Sequence, residues 1–518
     1  MPADYRPNGM AMWDTWYIEH QGSAHAYYLQ RLSPGSTRSP ADADWLGHAI
    51  SDNLLQWREC PLALGPGEAG TLDELQPWTG CVIEHDGTFY LYYTMRSTRG
   101  NGFGQHIGLA TSHDLYHWER FSGNPVISPD PRWYISHDSP LPRNVLDCRD
   151  LIVIRHPEKD GWLGFYAARV PAEEEAETAV IATVWTKDLV HWEHLPPAFA
   201  PRKYACIEVP DVFSLDGRWY MTCLTGTAYG NRGIFSDPSV LRGTMYAVAD
   251  KREGPYDEFN DDNVLVGGTH YVGYSCRSLV FEGDRYGFYT QPTTDGHDTL
   301  SPPMHMIADS QGHLRFAYSP KTSEWREATL VTPVQPPQVS QLPHTQRIWP
   351  LPAGRWTLDN AIYHGQSRTG WQVADLGIGA RNVEIEVSTT IHTGVAAGVV
   401  YRPDVSQTSS EGDLVFLLDA DEQCVLATRL PDYVEQHRRR YTVQLGQAYH
   451  LRICVRPPRF EVYLDDVLVI QSATKFPENT TASVGLFVDR AVVELSNLSI
   501  YGLYDHQTVE TSAASTVG

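Results

Sequence analysis

The sequence lacks the features that mark several large protein classes. Its eight cysteines are dispersed, and it has neither a Cys-x-x-Cys pair nor a Cys/His cluster with metal-ligand spacing. This argues against a zinc site and against a disulfide framework. The N-terminus has no basic region followed by an apolar core, and no apolar run is long enough to span a bilayer. These absences predict a reduced, cytoplasmic protein without a metal or cofactor.

Positive charge is also scarce. The chain has 63 Asp and Glu residues against 40 Lys and Arg residues, so its formal net charge is −23. Such a surface repels phosphate backbones and anionic lipid headgroups. We therefore expect no nucleic-acid or membrane partner. The composition gives no information on the oligomeric state.

Aromatic residues, in contrast, are abundant, with 15 Trp, 28 Tyr and 15 Phe. Aromatic side chains favour β-strands. They also stack on sugar rings, so a carbohydrate substrate is compatible with this composition. Strand propensity is the simpler of these two interpretations.

Helical periodicity is almost absent, and one hairpin pattern recurs five times in the first 330 residues. In each copy a turn containing glycine is followed by an aromatic second strand. These strands contain Tyr27-Tyr28, Tyr92-Tyr93, Phe165-Tyr166, Trp219-Tyr220 and Phe288-Tyr289. Between copies, Ser/Thr-x-Asp/Asn-Leu-x-x-Trp occurs at 51–57, 112–118 and 186–192, and we interpret it as a strand edge. Five repeats of a unit of about four strands predict a five-bladed β-propeller. Stacked sandwich domains would not require the repeat.

The second part of the chain has a different pattern. Residues 331–352 are rich in Pro and Gln, which predicts a linker. Beyond them apolar and polar residues alternate, as in 383–387 and 449–455, which is typical of strands with one solvated face. We therefore predict an all-β chain in which a propeller (1–330) is followed by a C-terminal β-sandwich (353–505). The tail 506–518 is predicted to be disordered.

Candidate catalytic residues emerge when the five hairpins are aligned on their turns. The first strand of each propeller blade lines the central axis, so residues near its start converge. Three of the five first strands carry an acid there: Asp14, Asp150 and Glu208. Carboxylates that converge repel one another and raise at least one pKa, and a pair of carboxyls can cleave a glycosidic bond.

Each acid also has an ordinary structural interpretation. Asp14 could cap a turn, Asp150 could pair with Arg149, and Glu208 could face solvent at a strand end. Their equivalent positions in the repeat favour the functional interpretation of the set. Asp211 lies three residues after Glu208, and strand alternation places it on the opposite face, so we predict a structural role for it.

The motifs that contain these acids resemble those of glycoside hydrolase family 32, whose wider relatives include families 68 and 43. Trp13-Asp14, Arg149-Asp150 and Glu208-Val209-Pro210-Asp211 are similar to the family's three acidic motifs. The segment 45–57 is similar to its Trp-Gly-His-Ala segment, 27–30 to a strand that ends in Gln, and 78–80 to its Phe-Ser-Gly segment.

This resemblance implies roles for particular residues. Asp14 would be the nucleophile, Glu208 the general acid/base, and Asp150 would stabilise the transition state. Arg149 would orient the carboxylates or bind a hydroxyl. The substrate-binding set is Arg149, Gln30, Trp45, Trp78, Trp13 and Arg277. Retaining chemistry requires the nucleophile and the acid/base about 5 to 5.5 Å apart, and a low pKa for Asp14 beside a higher pKa for Glu208 would separate their roles.

The chain departs from the family pattern around these acids. Trp13 stands in place of an Asn, Thr15-Trp16 in place of Pro-Asn, Leu151 in place of a Pro and Val209 in place of a Cys. The leading hypothesis is a retaining hydrolase that cleaves or transfers fructofuranosyl units from fructans, fructo-oligosaccharides or difructose-type sugars. The alternatives are an inverting arabinofuranosidase or xylosidase of family 43 type, and a non-catalytic carbohydrate-binding propeller.

Overall fold

The computed structural model describes most of the chain. The described residues are 5–98, 104–136, 147–231, 240–258, 263–268, 272–293, 296–333, 355–403, 412–430, 434–474, 476 and 480–503. Within them the secondary structure is almost entirely β, which confirms the all-β prediction. Among these residues, no helix has the length and apolar character needed to cross a bilayer.

The chain forms two compact units, one ending at Phe316 and the other beginning at Ala317. Most of the predicted linker and the whole predicted tail lie outside the described residues. The limits proposed from the sequence (1–330, 331–352, 353–505 and 506–518) remain predictions.

Four separate antiparallel sheets make up most of the first unit, each built from strands that are consecutive in the chain. The first sheet contains β1 (Met10–His20), β2 (Ser23–Leu32), β3 (Gly47–Ser51) and β4 (Arg58–Glu59). The second contains β5 (Trp78–His85), β6 (Thr88–Arg96), β7 (Gln105–Ser112) and β8 (Glu119–Arg120). The third contains β9 (Arg149–His156), β10 (Gly161–Arg169), β11 (Ala179–Thr186) and β12 (Glu193–Phe199). The fourth contains β13 (Glu208–Leu215), β14 (Arg218–Gly226), β15 (Arg242–Ala249), β16 (Asp257–Glu258) and β17 (Val264–Gly268).

The fifth predicted hairpin is present, but it does not form a separate four-stranded sheet. Its strands are β18 (Tyr274–Phe281), β19 (Asp284–Gln291), β20 (Thr299–Leu300), β21 (Met304–Ala308) and β22 (Leu314–Ala317). Because β20 has only two residues, β19 pairs with β20 and then with β21. The arrangement is therefore propeller-like, and the count of five blades remains a prediction.

The second unit is a sandwich-like sheet organised by two long strands. These are β27 (Val383–Pro403) and β34 (Ala482–Leu503), which pair antiparallel along their length. The other strands of this unit are β23 (Arg326–Val331), β24 (Arg355–Asp359), β25 (Ile362–Gln366), β26 (Trp371–Ala380), β28 (Leu414–Asp419), β29 (Cys424–Arg429), β30 (Val434–Arg440), β31 (Ala448–Arg456), β32 (Arg459–Leu464) and β33 (Val467–Ala473). Alternate apolar side chains of β27, β31 and β34 form its core.

Helical structure among the described residues consists of short 3-10 turns. These are Pro40–Asp44, Pro157–Lys159, Glu175–Glu177, Thr227–Tyr229 and Pro320–Trp325.

The recurring Ser/Thr-x-Asp/Asn-Leu-x-x-Trp motif is a tight turn rather than a strand edge. In the third blade the Thr186 hydroxyl accepts the Leu189 amide, and the Asp188 carboxylate accepts the amides of Val190 and His191. The same bonds form at 51–56 and 112–117. The side chains bond backbone amides within the turn, which ends the preceding strand. Three identical turns confirm that the motif marks a repeated unit.

A β-bulge interrupts the first strand of every predicted blade at the same place. The register shifts directly after Trp13, Trp78, Arg149, Glu208 and Tyr274. In four blades a residue other than glycine has a positive φ there: Asp14 (44°), Asp150 (64°), Val209 (52°) and Ser275 (58°). A bulge redirects side chains and bends the strand. Strain of this kind concentrates at functional sites.

A substitution at Gly80 tests how tightly the bulge of the second blade is packed. A Cβ atom at this position would lie 1.8 Å from the Tyr92 carbonyl oxygen, a backbone atom that cannot move aside. We expect Gly80→Ala to destabilise the first unit by more than about 2 kcal/mol, measured as a lower midpoint in calorimetry. Gly379→Ala is the control, because nothing lies within 4 Å of the position that its Cβ atom would occupy. Equal midpoints for the two variants would contradict the packing argument.

Candidate active site

Arg149 lies at the centre of a buried cluster of acids. Its Nη2 and Nε atoms donate to Glu208 Oε2 at 2.8 and 3.1 Å, and its Nη1 atom donates to Asp147 Oδ1 at 2.6 Å. Its Nε atom also lies 3.5 Å from Asp150 Oδ2. Neighbours on a regular strand point to opposite faces. The bulge is the reason that Arg149 and Asp150 contribute to one cluster.

The backbone of the fourth blade fixes Asp150. Its Oδ2 atom accepts the amide of Val209, the bulge residue of β13, at 3.0 Å. Its own amide donates to the Thr94 hydroxyl on β6 at 3.1 Å. Asp150 is therefore held by the second and fourth blades and is almost fully buried, with 2% exposure.

Asp14 joins the cluster from the first blade. Its carboxylate accepts a hydrogen bond from the Thr79 hydroxyl at 3.2 Å, and the nearby Ser275 hydroxyl acts to lower its pKa. Thr79 and Ser275 lie in the bulges of the second and fifth first strands. Asp14 and Glu208 are half-buried, whereas Arg149 and Asp150 are buried. The two accessible carboxyls thus come from different blades, as the alignment of the repeats predicts.

Burial dominates the electrostatics of these acids. It raises the pKa of Asp14 to about 6, assisted by the negative charge of Glu208 and opposed by the hydroxyls of Ser275 and Thr79. It also raises the pKa of Asp150, with Arg149 acting in the opposite direction. The low pKa expected for Asp14 is therefore wrong, because two neutral hydroxyls compensate for lost hydration less well than a cation does.

Two of the three predicted sugar-contacting aromatics, Trp13 and Trp78, lie on first strands next to the bulges. Trp13 and Trp78 are half-buried and directly precede their bulges, and arginines of the adjacent strands lie over their rings, Arg31 at 5.7 Å and Arg96 at 3.6 Å. Trp45 lies apart from these strands, after a 3-10 turn, and is 39% exposed.

Gln30 and Arg277 are buried and bond to backbone. Gln30 Nε2 donates to the Asp42 carbonyl at 2.8 Å, and its Oε1 atom has no hydrogen-bond partner among the described residues. The Arg277 guanidinium donates to the carbonyls of Gly80 and Asp150. It therefore links the bulges of the second and third blades. Asp211, predicted to be structural, accepts the amide and hydroxyl of Ser278.

Several residues of the site were not selected from the sequence. Asp147 bonds to Arg149, and Thr79 bonds to Asp14. The Ser275 hydroxyl acts to lower the pKa of Asp14, and Cys206 Sγ lies 3.4 Å from Arg149 Nη2. Thr79 and Ser275 lie in the aligned first strands, so their positions were a usable signal. In the part of the chain that the structure describes, no group of three or more His, Cys, Asp or Glu side chains is arranged to hold a metal ion.

Comparison with known families accounts for this arrangement. Residues 6–254 match the model of the glycosyl hydrolases family 32 N-terminal domain. The matched segment is just under half of the chain. The resemblance inferred from the three acidic motifs is thereby confirmed, and all three family 32 motifs lie inside the matched segment.

The curated relatives match only part of the chain. A sucrose-6-phosphate hydrolase of Escherichia coli is 27% identical over 294 residues, which is 53% of this chain and 53% of that protein. A sucrose-6-phosphate hydrolase of Zymomonas mobilis is 24% identical over 210 residues, or 38% of each chain. The matched region thus spans about two fifths to one half of these relatives.

Solved structures match over nearly the whole length. A family 32 β-fructofuranosidase of Bombyx mori has a TM-score of 0.63 at 16% identity, covering 96% of this chain and 94% of that one. Fructan 1-exohydrolase IIa of Cichorium intybus in complex with 1-kestose has a TM-score of 0.65 at 15% identity, covering 97% of both chains. At these identities the comparison shows a shared fold.

The raised pKa of Asp14 predicts a pH-dependent effect on stability. A carboxyl whose pKa rises from 3.8 to about 6 on folding lowers the stability of the folded state as the pH rises through that interval. Asp14→Asn removes this cost and retains groups that can bond to Thr79 and Ser275. We expect it to increase the free energy of unfolding by about 1–3 kcal/mol at pH 8 and much less at pH 4, measured by denaturant unfolding. An equal gain at both pH values would contradict this account. Asp216→Asn, at an exposed turn, should give no pH-dependent gain.

Proposed function

We propose that this protein is a retaining glycoside hydrolase that cleaves or transfers fructofuranosyl units from fructans, fructo-oligosaccharides or difructose-type sugars. One observation supports this most strongly. Two accessible carboxyls from different blades, Asp14 and Glu208, both act electrostatically on the buried Asp150, and the buried cation Arg149 contacts Glu208 and Asp150. This set supplies a nucleophile, a proton donor and a group that stabilises positive charge.

The geometry supports a distinct role for each acid. With a pKa of about 6, Asp14 is mostly ionised at neutral pH and can attack the anomeric carbon. Both contacts of Arg149 with Glu208 go to Oε2, so Oε1 is left to carry the proton that the leaving oxygen receives. Asp150, held by the Val209 amide, would hold sugar hydroxyls as positive charge develops on the ring.

The remaining predicted residues take supporting roles in this proposal. Trp13 and Trp78 would stack on sugar rings beside the acids, Trp45 would contact a more distant unit, and Gln30 would bind a hydroxyl. The Arg277 guanidinium bonds to two backbone carbonyls, so we propose that it holds the bulges in place rather than binding sugar.

The proposal includes the finer architecture and the conditions of action. The catalytic domain would be a five-bladed propeller over 1–330, followed by the linker 331–352, the sandwich 353–505 and the tail 506–518. The enzyme would act in the cytoplasm without a cofactor and without nucleic-acid or membrane partners. Relatives in this family are named both as hydrolases and as transferases: one is a sucrose:sucrose 1-fructosyltransferase of Festuca arundinacea. Either fate of the fructosyl unit is therefore compatible with the proposal.

Product analysis tests the reaction. The protein should release or transfer fructose from sucrose, fructans or fructo-oligosaccharides, and Glu208→Ala should reduce kcat by about 10²–10⁴-fold because the leaving group is no longer protonated. Transfer to methanol should give a methyl fructoside of retained configuration. Glu193→Ala, an exposed acid on β12, should leave the rate unchanged.

Three results would contradict the proposal. Cleavage of arabinofuranosides with inversion would indicate a family 43-type enzyme instead. Sugar binding without cleavage would indicate a binding propeller. Full activity of Glu208→Ala would remove this residue from the mechanism.

The pH profile gives a second test. If Asp14 must be ionised to attack, kcat/KM should fall about tenfold per pH unit below a midpoint near the pKa of Asp14, about 6. The profile of wild-type protein on sucrose or a fructan measures this midpoint. A flat profile between pH 4 and 7 would contradict the assignment of Asp14 as the nucleophile.

A further inference from the structure

Asp147 is a buried carboxylate that has no role in the proposed mechanism. Its Oδ1 atom accepts from Arg149 Nη1 and its Oδ2 atom from Arg169 Nε, both at 2.6 Å. It is 4% exposed. Arg169 ends β10 and also donates to the Thr178 hydroxyl at 3.0 Å. The acid is thus held between two guanidinium groups.

The same contacts connect Asp147 to Glu208. Arg149 uses Nη1 for Asp147, and it uses Nη2 and Nε for Glu208. The charges along Arg169, Asp147, Arg149 and Glu208 therefore alternate in sign. In a buried environment charges at such distances interact strongly, so a change at one end of this row alters the field at the other.

We propose that Asp147 is a positioning residue that fixes Arg149 against Glu208 and offsets part of the Arg149 charge. Arg169 is the counter-charge that balances Asp147. The inference rests on the proposed acid/base role of Glu208. It adds the two residues that adjust that role without contacting Glu208 themselves.

The row of charges makes opposite predictions for the loss of Asp147 and for the loss of Arg169. Without the Asp147 charge, the two guanidinium groups lose the counter-charge that they share, and the added net positive charge favours the Glu208 carboxylate. Without the Arg169 charge, Asp147 is balanced by Arg149 alone, and the protonated form of Glu208 is favoured. A residue that only supported the fold would not give shifts of opposite sign.

Other groups near Glu208 stay the same in these variants. They are Arg149 and Asp150 on β9, Asp14 on β1, Cys206 before β13, Tyr229 in the 3-10 turn Thr227–Tyr229, and Tyr274 on β18 with Arg242 of β15 over its ring. Cys206 and Tyr229 have pKa values raised by burial, so both are neutral over the range of the experiment. Burial raises the pKa of Asp14 to about 6 and also raises the pKa of Asp150, and neither acid is substituted in these variants.

The experiment follows the basic limb of the pH profile of kcat/KM. We expect Asp147→Asn to move this limb to lower pH by roughly half to one unit, and Arg169→Gln to move it to higher pH by a similar amount. Asp73→Asn is the matched control. Asp73 is a buried acid that bonds at 2.8 Å to Arg120, a residue of β8 in the second blade. Its loss should lower the stability of the protein without moving the basic limb of the pH profile.

A titration that needs no substrate separates the two proposals. Carboxyl ¹³C NMR follows Glu208 directly, with its signal assigned by its loss in Glu208→Gln. Opposite displacements of this titration in Asp147→Asn and Arg169→Gln would support the inference even if no fructoside is cleaved, in which case the proposed function alone fails. Displacements of the same sign, or none in folded variants, would overturn it, as would an equal displacement in Asp73→Asn.

Discussion

The site depends on one buried cation. Three carboxylates from three blades converge where water is largely excluded, and their mutual repulsion would push the blades apart or neutralise the acids. The Arg149 guanidinium offsets this by contacting Glu208, Asp150 and Asp147 at once. Its planar fork suits this task, because its donors point in different directions while the charge stays delocalised. A lysine would supply the charge without the geometry.

A second constraint is the β-bulge near the start of the first strand in each predicted blade. It places neighbouring side chains in one cluster and lets backbone amides face the acids, as the Val209 amide faces Asp150. Arg277 stabilises two of these bends through the carbonyls of Gly80 and Asp150. The chemistry is thus held by backbone geometry that is repeated around the unit, and not by loops.

The repeat makes much of this predictable. Alignment of the five hairpins on their turns is enough to place Asp14, Asp150 and Glu208 together. The bulges were not predictable, because Asp14, Asp150, Val209 and Ser275 adopt positive φ although none is glycine, and composition does not signal such strain. The pKa of Asp14 was also misjudged, since it depends on which neutral groups surround the carboxylate. The two-residue length of β20 was not predictable either, and the fifth hairpin forms no separate four-stranded sheet among the described residues.

The bulge also occurs in the two blades that contribute no acid. In these blades Thr79 and Ser275 occupy the bend. From there the Thr79 hydroxyl bonds to Asp14, and the Ser275 hydroxyl acts to lower the pKa of Asp14. The bend is therefore a property of the repeating unit, whereas the side chain that occupies it differs from blade to blade. Such a scaffold is modular: the number and placement of reactive groups around the axis can vary from one descendant to another by single substitutions, while the path of the main chain is preserved.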